Sequence, residues 1–290
     1  MLFPHTAWSH GFAGQRFFPA TILTDDPFVN DELGFTLGHQ RQAGEPATRE
    51  TELDTEYSKT VTSKLGLSLG GSVRNVDPVG DGGGNVGFGN VEIGAKYQFL
   101  TLASREAIVS AGVSAEVGGS GARRVEADSF WTISPALYFG KGFGDLPESM
   151  NALRPLAVTG VAAVNLPTRS RSLGDMGLER HPSTVTWGFA VEYSLPYLQA
   201  SVKDVGLGAP FKRMVPLVEF SAESCIHNGC TEGTTGTVAP GLIWLGQTVQ
   251  WGIEAQVPVN SPDSGVGAIV QLHFFIDDLL PGSLGRPLLP

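Results

Sequence analysis

GNVEIGAKYQFL, running from Gly89 to Leu100, carries the pattern by which the rest of the chain is read. From Val91 onward, Val91, Ile93, Ala95, Tyr97 and Phe99 fall on one face, and Glu92, Gly94, Lys96 and Gln98 on the other. A β-strand points successive side chains to opposite sides, so this strand has one apolar face and one wet face. A soluble sandwich would give the same local pattern. Here, however, the alternation recurs about a dozen times, and many of the copies end on an aromatic. That repetition predicts an all-β chain folded as a transmembrane, antiparallel, up-and-down β-barrel of about 12 strands.

Composition points the same way. Of 290 residues 38 are glycine, about twice the usual share, and charged residues, at 17%, fall below the usual quarter. No run of about 18 apolar residues occurs, which excludes a helical membrane span. The net charge of −10 offers no basic patch to neutralise phosphates, so nucleic acid is excluded as a partner. Residues 1–20 lack a basic start and a clean apolar stretch. A bacterial outer-membrane chain needs such a signal for export, so the numbering is expected to begin at a mature or truncated start.

The alternation places strands at 33–42, 50–63, 65–76, 89–100, 106–117, 129–141, 154–165, 184–197, 214–224, 235–245, 248–258 and 265–276. Very short links fall near Leu65, Ala103 and Gly246. Longer ones, rich in Gly, Pro, Ser and Asp, fall at 43–49, 77–88, 118–128, 166–183, 225–234 and 259–264. Short periplasmic turns opposite long external loops are the expected asymmetry. Two links break it, 142–153 and 198–213, and each holds either small periplasmic helices or a miscounted strand. On this topology Phe35, Tyr97, Phe99, Phe139, Tyr193, Tyr197, Trp244, Trp251 and Phe274 gather near the periplasmic end. Phe88, Phe130, Trp131 and Trp187 gather near the other. Two aromatic belts are expected where amphipathic rings meet the headgroups.

Parity then assigns the faces. Lipid-facing residues include Val109, Ala111, Val113, Ala115, Ile133, Leu137, Phe139, Val185, Phe189, Val191, Ile253, Ala255, Val257, Val266, Ala268, Val270 and Leu272. The lumen receives Glu52, Asp54, Glu56, Arg74, Glu92, Lys96, Glu116, Glu192, Glu219, Glu223, Glu254, Gln256, Gln271 and His273. Arg74 and Lys96 cannot neutralise so many acids, and an unpaired buried carboxylate is costly. Water in part of the lumen, or protonated carboxyls, would resolve the conflict.

Three further segments remain. Residues 1–32 form either a loosely held periplasmic tail, as terminal segments often do, or a plug that narrows the barrel. The barrel itself covers 33–276, and 277–290 is a C-terminal extension. Cys225 and Cys230, in SCIHNGC, read as a local disulfide of an oxidising compartment. A metal would add His227 as a third ligand and find no fourth within reach.

In GFGNVEIGAKYQFL, in its strand count and in the terminal GVGAIVQLHFFIDDLLP, the chain resembles a family of outer-membrane barrels regarded as transporters of the MetA pathway of phenol degradation. The likeness covers about 33–276 and rests mostly on the pattern G-[DN]-[VL]-E-[IL]-G-x-K-Y, here Gly89 to Tyr97. It implies an outer-membrane channel or transporter for small, often hydrophobic molecules, and it carries no catalytic set. Barrels of this kind commonly end on an aromatic, whereas this chain runs on from Phe275 to Pro290.

The expected function is therefore a channel or transporter for small solutes, hydrophobic or cationic, through a mostly acidic lumen. A ring of acids would favour cations. Twelve strands lie between the eight that side chains fill and the sixteen that leave an open pore. The alternative is a non-conducting structural barrel that binds a protein partner at its loops or periplasmic links. A barrel hydrolase is less favoured; it would need Glu52, Asp54 or His39 to gather a partner at the rim. A soluble β-sandwich is the fallback fold. No catalytic residue, metal or cofactor is expected, and the partners are the lipid bilayer and a small-molecule solute. DGGG at 81–84 lacks the lysine and helix of a phosphate loop.

Overall fold

The computed structural model describes residues 11–42, 47–80, 83–174, 177–230, 233–261 and 264–289. Twelve strands form the wall: β1 Glu32–Gln42, β2 Thr48–Thr62, β3 Leu65–Pro78, β4 Val91–Leu102, β5 Ala107–Val117 and β6 Thr132–Gly142 come first. They are followed by β7 Leu156–Pro167, β8 Ser183–Tyr193, β9 Met214–His227, β10 Thr235–Leu245, β11 Val249–Val259 and β12 Gly267–Phe275. Each pairs antiparallel with the next, and β12 pairs with β1 in the register Val270↔Leu37. The sheet closes on itself round the twelve strands. Closure is what lets strands cross hydrocarbon, where unpaired N–H and C=O groups find no water.

The faces are the inverse of a soluble core. Leu69, Leu137 and Ile253 are 56%, 59% and 55% exposed on the outside, while Glu219 and Gln250 inside are 0% exposed. A sandwich would bury the first set. Outward rows of Val, Ile, Leu and Phe require lipid around them. At the seam, Phe35 and Phe274 pack edge to face with ring centroids 6.3 Å apart. Two aromatics leave the belts assigned from sequence. Phe130 is buried and Tyr197 turns inward beneath the barrel, because both lie in connecting segments where strand parity no longer applies.

Several boundaries move for local reasons. The strand expected at 184–197 ends at Tyr193, because Ser194 and Pro196 begin a helical turn. The Tyr197 N–H donates to the Ser194 hydroxyl at 3.2 Å, and Pro196 has no N–H to give a ladder. The two over-long periplasmic links hold short helical turns, including Glu148–Met150 and Phe211–Arg213, with no additional strand. At the external end β4 starts at Val91, after a break at Gly89 and Asn90. The preceding Asn85–Phe88 pairs with the upper part of β3, so the wall there is continued by a folded-back piece.

The interior holds the chain's own N-terminal segment. From Gly11 to Asp31 most residues are buried, and the segment touches the inner wall on strands from β4 round to β12, and β2 where it leaves the lumen. It enters through a small hairpin, Phe12–Ala13 with Arg16–Phe17. Two apolar clusters seat it. Ala13, Phe18 and Phe28 pack with Ile108 and Ala157, and Ile22 packs with Val215, Leu217, Ile243 and Ile269. Burying one such side chain contributes roughly 1.5–3 kcal/mol. Inward-facing glycines supply the clearance. A Cβ at Gly188 would lie 2.7 Å from Thr24 Cγ2, and one at Gly252 would collide with Ile22 Cδ1.

The extension after Phe275 makes one short helix, Ile276–Leu279, then doubles back to the periplasmic end of β2. There the Leu288 and Leu289 N–H groups donate to the Thr60 and Val61 carbonyls at 3.1 and 2.7 Å.

Candidate functional site: the partly filled lumen

Polar wall residues hold the segment at four stations. Glu219 of β9 accepts from the N–H groups of Ile22, Leu23 and Thr24 at 2.6, 3.1 and 2.7 Å, and from the Thr24 hydroxyl at 2.7 Å. A turn that presents three consecutive N–H groups suits a carboxylate, and charge-assisted bonds are the stronger kind. Beside it, Gln250 donates to the Ala20 carbonyl at 2.6 Å and Gln271 to the Thr21 carbonyl at 2.8 Å.

Opposite, Lys96 of β4 donates to Asp25 at 2.9 Å and to the Asp26 carbonyl at 2.7 Å, with its ammonium 4.5 Å from the Tyr138 ring centroid. At the periplasmic mouth Arg16 is fully buried. Its Nε lies 3.2 Å from Glu106, it donates to the carbonyls of Arg154 and Pro155, and its guanidinium stacks 3.6 Å from the Tyr197 ring centroid. Tyr197 in turn donates to Glu106 at 2.7 Å. The long periplasmic links thus supply the fastening for the hairpin. At the point where the segment becomes β1, Asp31 accepts from Lys59 at 2.8 Å and from the Thr60 N–H at 2.6 Å.

The segment leaves space in the lumen around it, part of which lies against β2, β3 and β4. An external vestibule of about 580 Å³ has Leu23, Thr24 and Asp25 at its floor. Its walls carry Glu92, Glu116, Asp128 and Glu223, together with Phe130, Tyr138, Val161 and Ala163. A second cavity of about 430 Å³ shares Glu92, Glu116 and Asp128 with it and adds Glu52, Asp54 and Glu56. Between the segment and the wall, a gap of about 150 Å³ is lined by Asp54 and Glu56 again, with Asp25, Asp26, Glu32 and His273. His273 Nε2 lies 3.2 Å from Glu32 at the lower end of that gap. Burial, then Glu116, pushes the Asp128 carboxyl above its ordinary range.

The fourteen lumen residues named from sequence separate into two sets. Glu219, Glu254 and Glu192 lie behind the segment: Glu219 holds it, Glu254 is buried beside Glu219, and Glu192 is buried with the Thr159 hydroxyl 3.4 Å away. Gln271 is also taken up by the segment, while Gln256 sits across the ladder from Gly267. Glu52, Asp54, Glu56, Glu92, Glu116 and Glu223 face open space. Arg74 is bound to Glu50, with Glu52 at 3.3 Å, and Glu116 accepts from Asn90 at 2.7 Å. Five of these six open acids lie on β2, β4 and β5 and Glu223 stands alone on β9, so they do not form the even ring expected from parity alone.

Reasoning from the strands missed Arg16, Glu106, Asp25 and Asp31. For Asp25 and Asp31 the one signal was the dense run TDDPFVNDE in a segment without periodicity; Arg16 and Glu106 had none.

The hydrolase constellation does not assemble. His39 faces outward with its Nδ1 2.8 Å from the Thr51 hydroxyl, on the opposite side of the wall from Glu52 and Asp54. Ser172 Oγ lies 2.7 Å from His181 Nε2 above the vestibule, and Phe130 stacks on that imidazole. Among the described residues no acid hydrogen-bonds the ring, so the orienting member of a triad is missing. Cys225 and Cys230 form a disulfide, with Cα atoms 5.4 Å apart. That bond removes both thiolates from the metal reading with His227. Among the described residues no three His, Cys, Asp or Glu side chains gather for a metal.

No protein-family model matches the chain, and no curated protein matches it. Solved structures do match. An outer membrane channel from Pseudomonas putida F1 superposes with a TM-score of 0.61 at 12% identity, over 89% of this chain and 99% of that one. The NanC porin superposes with a TM-score of 0.51 at 11% identity, over 83% and 98%. At such identities the likeness is one of fold. The chain is a twelve-stranded β-barrel of the outer-membrane type.

Proposed function

We propose that this protein is an outer-membrane channel, narrowed by its own N-terminal segment, that passes small solutes along the carboxylate row of β2 and favours cations. One observation carries the reading. The 430 Å³ and 150 Å³ cavities share Asp54 and Glu56 on the side of the lumen that the segment leaves open. Glu52, Asp54 and Glu56 alternate along β2, so their carboxylates stand roughly 6.5–7 Å apart down the path. The two lumenal cations on this side are already engaged, Lys96 by Asp25 and Arg74 by Glu50. A passing cation meets a carboxylate row in which, among the described residues, only Glu52 has an ion pair, with Arg74, between walls of low dielectric, and an anion is repelled.

The apolar side of the vestibule, with Phe130, Val161 and Ala163, also admits solutes that carry an apolar part. Kinship with the phenol-degradation transporters is part of this proposal and rests on the Gly89–Tyr97 motif. Residence in the bacterial outer membrane is part of it too, supported by the fold and the disulfide.

The segment's burial favours a second reading, a closed barrel that does not conduct. Single-channel recording of the refolded protein in a planar bilayer under a salt gradient separates the two. The channel gives steady steps with a cation-selective reversal potential. The closed barrel inserts and stays silent.

A further inference from the structure

Two external hairpins set arginine directly opposite arginine. Arg41 of β1 pairs in register with Arg49 of β2, and Arg171 pairs with Arg180 in the loop hairpin between β7 and β8. Like charges directly opposite one another destabilise an antiparallel pair. Among the described residues, neither Arg41 nor Arg49 has an ion pair or a side-chain hydrogen bond; Arg49 has the acid Asp77 opposite it on β3, and Arg41 has no acid opposite it. Both are exposed.

Their position on the wall says what meets them. The outward row of the β1–β2 ladder climbs from Leu37↔Leu53 through His39↔Thr51 to Arg41↔Arg49. The leucines are 44% and 41% exposed, where lipid covers them, and the next pair is closed by the His39–Thr51 hydrogen bond. Four residues of strand rise about 13 Å, and the tilt of a barrel strand shortens that along the membrane normal. The surface therefore turns from apolar to cationic over the depth at which hydrocarbon gives way to headgroups. The residue type fits as well. Lys59, Lys64, Lys141, Lys203 and Lys212 lie at the periplasmic end, whereas the cations of the external rim are arginines. A guanidinium fork matches two phosphate oxygens at once, which an ammonium does not.

We propose that Arg41 and Arg49 bind the phosphoryl group of an outer-leaflet lipid, which bridges the two guanidinium groups at the external rim of the barrel. The anion removes the repulsion that the bare pair carries and fixes the β1–β2 corner, next to the β12–β1 seam, in the leaflet. The Arg171–Arg180 pair repeats the motif in a loop hairpin.

Native mass spectrometry of the full refolded chain in a zwitterionic detergent tests this. The probes are bis-phosphorylated lipid A and the same lipid stripped of its phosphates. The native protein should hold the phosphorylated form about tenfold more tightly, and the Arg41→Gln/Arg49→Gln variant should lose that preference. Thermal unfolding adds a readout that a merely structural role would not move. Arg41→Gln, which leaves the Arg49–Asp77 ladder neighbours in place, should raise the melting temperature without the lipid, by relieving repulsion, and lower it when the lipid is present. Equal binding of the two lipids, an unchanged preference in the double variant, or full displacement by millimolar inorganic phosphate would each overturn the proposal. The last result would show a free-anion site in place of a lipid site.

Discussion

The main-chain N–H of Ile22 donates to Glu219 at 2.6 Å across 197 residues of sequence, and the next two N–H groups turn toward the same carboxylate. This contact joins the chain's least periodic segment to one of its most regular strands. It also takes Glu219 out of the set of lumenal acids that face open space.

Replacing Glu219 with Ala leaves three N–H groups and a hydroxyl without their acceptor. Each hydrogen bond to a charged group is worth about 1.5–3 kcal/mol, and water entering from the vestibule offsets part of the loss. The docked segment should weaken by about 2–4 kcal/mol. Amide hydrogen exchange at residues 19–27 would rise sharply while strands β5 to β8 stay protected. Unchanged protection of that stretch would mean that the apolar seat around Ile22 suffices.

Gly252→Val tests the same seat by volume. The new side chain enters the space of Ile22 Cδ1, so the segment must leave its seat while the outward face of β11 is untouched. The variant should still insert into bilayers and should show larger conductance steps than the native protein. Native-sized steps would place the limiting constriction elsewhere.

The lipid-facing assignment has its own check. Ala111 lies mid-strand on the outward face of β5, with Tyr97 and Leu137 as its ladder partners. Ala111→Arg should destabilise the barrel by about 2–4 kcal/mol, as a charge near the bilayer midplane does. Glu116→Gln, on the inner face at the external end of the same strand, should refold normally. Reversible unfolding in lipid vesicles gives both values, and equal tolerance at the two sites would refute the face assignment.

The barrel was legible because its signal is local. Alternation at Val91 to Phe99 repeats from strand to strand, and hydrogen bonding between consecutive strands needs little beyond it. Parity also placed each named acid on the inner face. It could not divide Glu219 and Glu192 from Glu52 and Asp54, because that division depends on where a segment without periodicity comes to rest. Arg16 meets Glu106 and Tyr197 only after the barrel has closed, so no spacing in the sequence announces them. The inward glycines at 188 and 252 carried a faint signal. In a strand interior glycine often marks a place where something approaches closely. Nothing nearby in sequence named Thr24 or Ile22 as what approaches.

The central claim is that solutes pass along β2 and not along the side the segment occupies. Reversal potentials in a salt gradient test it most directly, comparing Glu52→Gln/Asp54→Asn/Glu56→Gln with Glu192→Gln. Neutralising the β2 row should abolish or reverse the cation preference, while Glu192→Gln, buried behind the segment, should leave it as it is. Cation selectivity that survives loss of the β2 row, or that vanishes with Glu192 alone, would contradict the account.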